Sequence, residues 1–337
     1  MDHHLVSIIT PSYNQAAYLE LTIRSVLVQD YPHIEYFIVD GGSNDGSVDV
    51  IRKYATYIDW WTSEPDRGQA DAINKGISRA QGEFIAWLNS DDLFQPGTIS
   101  RAVSILIEHP EAAFVYANAT SIDAQGRPLN DLVFKPLTID DFIGFRMICQ
   151  PAVFMRRKML EKAGYLDLGY KYLLDHQLWI RLAQVGQIIH VPEFWAYARH
   201  HPAAKNVSSA LEFGGEALNI LEWALTQHDI AERLQRSRSW YTAGAQRFNA
   251  RYLLDGGHAG RALKAYFEAF RMHPSTVLVE WHRIVFAVLN LIGLKALGPL
   301  YYRIARSRLP QSARANGLDE IHFLYERGTI KKAPVKQ

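Results

Sequence analysis

The sequence predicts an α/β fold, a mostly parallel Rossmann-like sheet flanked by helices, with an α-helical extension at the C-terminal end. Two observations carry this. Between residues 5 and 120, short β-rich runs alternate with segments whose apolar residues recur at helical spacing. After about residue 212 the strand signals stop and helical periodicity dominates. A chain of 337 residues is long enough for more than one folded unit. The expected division is therefore a first domain over 1–212 and a helical region over 213–337.

LVSIIT, residues 5–10, is β-rich and closed by Pro11; residues 16–29 then carry Leu19, Ile23, Val26 and Leu27 at helical spacing. IEYFIVD, residues 34–40, reads as a second strand. It ends in GGSNDG, whose glycines and Asn/Asp permit unusual backbone angles, before a helical pattern over 47–57. The unit then repeats: strand over 59–65, helix over 68–80, strand over 84–89, helix over 96–109, strand over 113–120. Such alternation favours parallel pairing through helical crossovers. Polar clusters follow the strands: Thr10 to Asn14, Asp40, Glu64 to Asp66, and Asp91-Asp92. Ligands of open α/β sheets bind outside the carboxyl ends of strands, so four strand ends are expected to meet at one site.

Composition narrows the partners. Lys plus Arg number 36 against 35 for Asp plus Glu, a net charge of +1 that gives no electrostatic case for nucleic acid. The single cysteine, Cys149, excludes an intramolecular disulfide and a thiolate-rich metal site, and fits a reducing compartment. MDHHLVSIITPSYNQ lacks the basic and long apolar regions of a secretory signal, so a cytoplasmic location is expected.

In the C-terminal part, residues 240–274 read as one tetratricopeptide-like helix pair with a closing Pro, and a lone pair is more often a packing appendage than an array. Residues 277–303 read as an amphipathic, apolar helix. Its run Ile284 to Leu294 falls well short of the roughly 20 residues that span a bilayer. Arg303, Arg306, Arg308 and Arg314 follow, leaving two readings open: a helix packed on the first domain, or one lying on the anionic inner face of the cell membrane. The tail, with Lys331, Lys332 and Lys336, reads as a loose end.

WLNSDD, residues 87–92, ends an apolar strand in two adjacent carboxylates. Like charges beside apolar walls need an offset. A pair of hard oxygen ligands suits Mg²⁺ or Mn²⁺, which bind through one or two carboxylates while a substrate's phosphates fill other positions. The alternative is that one of them caps the helix that starts near Gly97.

TPSYNQAAYLELTIRSVLVQDYP, IVDGGSNDGS, EPDRGQADAINKGI, WLNSDD, QPAVFMRR, DHQLWIRL and YARHH occur in an order and spacing that resembles the family 2 glycosyltransferases of GT-A fold, over roughly residues 5–206. The resemblance implies inverting transfer of a hexose from a nucleotide-diphospho-sugar, a UDP-sugar, with Mg²⁺ or Mn²⁺. The acceptor would be a hydroxyl of a saccharide or lipid-linked saccharide in bacterial polysaccharide or glycoconjugate synthesis. Thr10, Pro11 and Tyr13 resemble the loop that packs on the base, Asp40 the carboxylate that reads base or ribose, and Asp66 the next nucleotide-contacting acid. Asn89, Asp91 and Asp92 match the Asp-x-Asp element, with Asp92 as the direct metal ligand. Asp175 resembles the catalytic base, a position that could equally cap its helix. His201 of Arg199-His200-His201 resembles the histidine beside the metal, with His200 as the alternative. Gln150 resembles an acceptor-side residue; Trp179 could stack on a sugar, although it lies on an apolar stripe that suits a core role.

Two other classes are conceivable. A sugar-nucleotide-binding scaffold without turnover would not need Asp91, Asp92 and Asp175 together. A sugar nucleotidyltransferase would need a Gly-rich phosphate loop with Lys or Arg after the first strand, which is absent.

Overall fold

The computed structural model describes residues 4–201, 209–294, 325, 329–333 and 335. These fall into two compact units. One holds residues 4–136 and 148–200 with the described C-terminal residues; the other holds 137–147 and 201–294. The chain thus passes into the second unit at 137–147 and returns, a detour that a single cut at 212 does not contain.

The first unit begins with β1 (Val6–Ser12), α1 (Ala16–Leu27), β2 (Ile34–Asp40), α2 (Ser47–Lys53), β3 (Trp60–Ser63), α3 (Gln69–Ile77) and β4 (Phe84–Trp87). β5 (Leu93–Phe94), α4 (Thr98–Glu108), β6 (Ala112–Ile122) and β7 (Pro128–Leu132) follow. After α5 (Ile139–Ile143), which belongs to the second unit, come β8 (Val153–Arg156), α6 (Arg157–Ala163), α7 (Leu174–Val185) and β9 (Gln187–Arg199).

The strands form one sheet in the order β3-β2-β1-β4-β8-β6-β9-β5, with β7 on β6. From β3 to β4 every pairing is parallel, as the alternation predicts. Beyond β4 the sheet is mixed: β8 runs antiparallel to both β4 and β6, and β6 and β9 are parallel. β1 and β4 carry side chains buried on both faces, as strands covered by helices on both sides do, and β4 reads as a continuous apolar run. Val6, Ile8, Ile38, Ala86 and Phe154 are buried in a shared core with Leu19 and Ile23 of α1. Registers align the carboxyl ends: Ser12 pairs Asp40, Asp40 pairs Ser63, and Ile9 pairs Trp87.

The described part of the tail is docked, contrary to the loose end expected from composition. The Lys331 and Lys332 amides donate to the Leu27 carbonyl at 2.8 and 3.2 Å, satisfying an orphan acceptor at the end of α1. The Lys332 ammonium, 7% exposed, reaches the Asp59 carboxylate at 2.9 Å, the partner that a buried charge requires. Tyr325 is fully buried and donates to the Phe94 carbonyl at 2.6 Å. Lys336 lies outside the described residues.

The second unit continues with α8 (Ala210–Thr226), α9 (His228–Arg236), α10 (Arg238–Asp255), α11 (Ala259–Met272), α12 (Pro274–Leu278) and α13 (Trp281–Leu291). α10 and α11 are the helix pair expected over 240–274, broken at Gly256-Gly257, where Gly257 adopts φ +83°. Small residues let the helices approach: Ala243, Ala250, Ala262, Ala265 and Ala269 are buried between them. The single helix expected over 277–303 is instead broken between α12 and α13, and residues 295–303 lie outside the described residues.

Glu280 sits at that break. It accepts from Arg247 Nη1 at 2.6 Å and from the Tyr266 hydroxyl at 2.9 Å. Burial alone would raise its pKa, but Arg247, Arg251 and Arg283, with the Tyr266 hydroxyl, outweigh that and hold the carboxyl below its ordinary value. A depressed carboxyl contributes stability that is present above its unfolded pKa and lost as pH falls through the folded one. Glu280→Gln is expected to cost roughly 3 kcal/mol in a denaturant melt at pH 7, because it strands the Arg247 charge. The deficit should begin to shrink as the pH falls below about 4.3, where the unfolded-state carboxyl takes up its proton, and go on shrinking until the native group is protonated at lower pH; an equal deficit at all pH values contradicts this role.

Candidate active site

The rim is built from the loops that follow β1 to β4, and each loop holds its neighbour. Asp40, wholly buried at the end of β2, accepts from the Gly42 and Ser43 amides at 3.1 and 2.8 Å, the Ser43 hydroxyl at 2.6 Å and the Ser63 hydroxyl at 2.7 Å. Its carboxylate is thus the knot that shapes the GGSN loop. Asn14, left-handed at φ +51°, accepts from the Asn44 amide at 3.0 Å and donates its own amide to the Ser43 hydroxyl at 2.8 Å. Asp45 accepts from the Ala16 amide at 2.9 Å, satisfying a donor at the start of α1 from a different loop.

Of the residues expected to face a base, Tyr13 reaches solvent, with 62% of its surface exposed. Thr10 and Pro11 do not: both are buried, and the Thr10 hydroxyl is hydrogen-bonded to the Tyr36 hydroxyl at 3.0 Å. They belong to the interior of β1, so they shape the loop rather than line it. Asp66 is half-buried and accepts from the Gly68 amide at 2.8 Å. A Cβ on Gly41 would lie 2.7 Å from Asp66 Oδ2 and 3.3 Å from the Tyr13 ring. Asp66 and Tyr13 therefore close on the backbone of residue 41 from two sides. Gly41→Ala must push one of them away; the expected outcome is a KM for donor raised about tenfold with kcat little changed, checked by steady-state kinetics.

The paired carboxylates follow β4. Neither caps α4, whose N-cap is Gly97 in the left-handed region at φ +77°. Asp92 is 6% exposed: Oδ1 accepts from the Arg199 amide at 2.9 Å and Oδ2 from Asn89 Nδ2 at 3.2 Å. Burial, then the adjacent Asp91 charge, push its carboxyl well above the usual range. Asp91 is only half-buried. Asn89 accepts from Gln69 Nε2 at 2.7 Å and donates to Gln150 Oε1 at 3.2 Å, while Gln150 Nε2 donates to the Trp87 carbonyl at 2.8 Å. Gln150, 8% exposed, thus braces the turn and does not present its amide outward.

Arg199, at the end of β9, is the residue whose role the sequence did not disclose. Its Nε donates to the Asp91 carbonyl at 2.9 Å, and Nη1 to the Asp123 and Ala124 carbonyls at 3.1 and 3.2 Å. The guanidinium lies over the Tyr18 ring at 4.9 Å. A buried cation fixed beside two carboxylates offsets part of their repulsion and sets the backbone of the turn.

Asp175 lies in the first turn of α7, whose N-cap is Leu173, so it is not the cap. Oδ1 accepts from the His176 amide at 2.7 Å, a placement that the helix dipole favours for an anion. Burial, then the Asp92 and Asp175 charges, push the Cys149 thiol well above its ordinary value. Trp179 is corrected to the core, 1% exposed, with its ring 5.3 Å from both Trp87 and Phe114. His200 is exposed, its amide donating to the Ile122 carbonyl at 2.8 Å; His201, 4% exposed, opens the second unit.

The donor set fits a divalent cation that completes its shell from a substrate. Asp91 and Asp92 are adjacent hard oxygen donors, and the Asp91 charge disfavours ionisation of Asp92. Among the described residues no three His, Cys, Asp or Glu are grouped to hold a metal unaided.

The Glycosyl transferase family 2 profile matches residues 7–164. TuaG of Bacillus subtilis (strain 168), named for a glycosyltransferase of teichuronic acid biosynthesis, is 34% identical over 188 residues, spanning 54% of this chain and 73% of TuaG. The chain belongs to glycosyltransferase family 2. The fold is shared with S. aureus TarS residues 1–349 in complex with UDP-GlcNAc, at TM-score 0.59 and 19% identity, covering 96% of this chain and 92% of that one. The mannosyltransferase PcManGT from Pyrobaculum calidifontis, in complex with GDP-Man and Mn²⁺, aligns at TM-score 0.51 and 17% identity, covering 96% and 88%. This GT-A architecture places the turn after β4 where an α/β sheet takes its ligand.

Proposed function

We propose that this family 2 enzyme transfers a hexose from a UDP-sugar to a hydroxyl of a saccharide or lipid-linked saccharide, with inversion, at the cytoplasmic face of the cell membrane. Support for the donor class comes from the fold shared with a UDP-GlcNAc complex and from the kinship with TuaG. The observation that carries the reading is the carboxylate turn after β4, braced by Arg199, Asn89 and Gln150, on the rim that also holds Tyr13 and Asp66.

In this reading Tyr13 packs on the base, with Asp66 and the loop that Asp40 ties completing the nucleotide end. Asp91, the more exposed carboxylate, faces the cation, and Asp92, whose oxygens already accept two N–H groups, orients the turn. This reverses the assignment made from the motif alone, since a buried carboxylate held on both oxygens is a positioning group. When bound, Mg²⁺ or Mn²⁺ would offset charge on the diphosphate leaving group. Asp175 takes the proton from the acceptor hydroxyl as its oxygen bonds to the anomeric carbon and the bond to the diphosphate breaks on the opposite face. No covalent sugar-enzyme intermediate forms.

The test is UDP release from a panel of UDP-sugars with saccharide acceptors, in Mn²⁺ and in EDTA, with anomeric configuration read by NMR. Metal-dependent release with an inverted product is expected; a retained anomer, or release equal in EDTA, contradicts the reading.

A further inference from the structure

α13 has its polarity reversed. A surface helix turns apolar residues inward and polar ones to water. On α13, Phe286 and Ala287 are buried, yet Trp281, Val285 and Val288 with Ile292 just beyond form the solvent side, 52, 46, 43 and 63% exposed. Their spacing of four, three and four residues places them on one stripe. From Ile284 to Leu294 there is no charged residue. The last residue of α12, Leu278, and Val279 after it add to this surface, 55 and 70% exposed. Contiguous exposed apolar surface of this kind marks a binding surface.

The adjacent helix supplies the charge. α11 shares the core of this unit with α13 and exposes Lys264, Phe267 and Arg271 along one stripe of its own. The acid nearest in that stripe, Glu268, is half-buried. The sequence beyond Leu294 has the same sign, with Lys295, Arg303, Arg306, Arg308 and Arg314 and no acid before Asp319. A second copy of the chain docked face to face would bring like charges together.

We propose that the α11–α13 face docks on an anionic phospholipid surface, the apolar stripe of α13 entering the headgroup region and Lys264 and Arg271 meeting lipid phosphates. This gives a location to the membrane-side acceptor of the proposed function and rests on that reading for its purpose alone, because docking needs no turnover. Among the described residues no helix is long and apolar enough to cross a membrane, so the contact is interfacial.

The test is co-sedimentation of the full chain with phosphatidylcholine vesicles and with vesicles in which about a third of the lipid is phosphatidylglycerol. Binding to the anionic vesicles alone, weakened by high salt, is expected. The double variant Val285→Glu/Val288→Glu alters exposed side chains and should lower binding about tenfold or more, with UDP release toward a water-soluble acceptor unchanged. Lys264→Glu/Arg271→Glu should remove most of the salt-sensitive part, and serves should the first pair fail to fold by circular dichroism. Wild-type chain that ignores anionic vesicles overturns the proposal. So does a wild-type dimer in light scattering that Val285→Glu/Val288→Glu converts to monomer, which would assign the face to a second copy. Vesicle binding that persists in a chain without transferase activity supports the docking and counts against the proposed function alone.

Discussion

Asp175→Asn is expected to lower kcat for sugar transfer by about 10²–10⁴-fold while leaving UDP affinity within about twofold. Asn has the same shape, and its carbonyl oxygen can still accept from the His176 amide, so the first turn of α7 keeps its geometry. What disappears is the ability to take a proton. The acceptor oxygen must then attack while still protonated, which raises the barrier without changing how the nucleotide is held. Steady-state UDP release gives kcat, and calorimetry with UDP gives the affinity. Unaltered transfer by Asp175→Asn would remove the base assignment; loss of both transfer and UDP binding would make Asp175 a structural residue of the site.

Arg199→Lys should raise the Mn²⁺ concentration for half-maximal activity by about 10–100-fold, the range for losing a residue that orients a metal ligand. The lysine keeps the charge but lacks the planar fork that reaches the Asp91, Asp123 and Ala124 carbonyls together. The Arg199 amide that holds Asp92 Oδ1 is backbone and survives the change. Asp92 therefore stays tethered, while the backbone of Asp91 gains freedom. A merely structural role would lower the melting temperature without shifting metal dependence once the protein is assayed well below its melt. The decisive readout is the Mn²⁺ titration at saturating donor, and an unchanged midpoint contradicts the clamp.

The strands and helices of residues 5–120 were legible because each is a short apolar run with a clear period, ended by Pro, Gly or Asn/Asp. The mixed half of the sheet was not. β5 has two residues, and β8 runs antiparallel between β4 and β6, a position set by tertiary packing and not by its own pattern. At the site, motif order named Tyr13, Asp66 and Asp91, which lie in the loops after β1, β3 and β4, and Asp175 in the first turn of α7, yet it could not separate exposed from buried members of one motif. Thr10 lies inside β1, whose side chains are buried on both faces, whereas Tyr13 lies in the loop just after it; likewise the turn after β4 buries Asp92 more deeply than its neighbour Asp91. Arg199 and Asp45 act on partners 107 and 29 residues away, a range over which one sequence carries no pairing signal.

The most direct test is calorimetric titration of UDP into wild type, Asp91→Asn and Asp92→Asn, each with Mn²⁺ and with EDTA. The account predicts that wild type binds UDP much more tightly with Mn²⁺ and that Asp91→Asn loses this metal-dependent gain while still binding weakly. Asp92→Asn should show a smaller gain, through loosening of the turn. Equal metal-dependent gains in wild type and Asp91→Asn would contradict the claim that the carboxylate turn after β4 holds the donor's diphosphate through a cation.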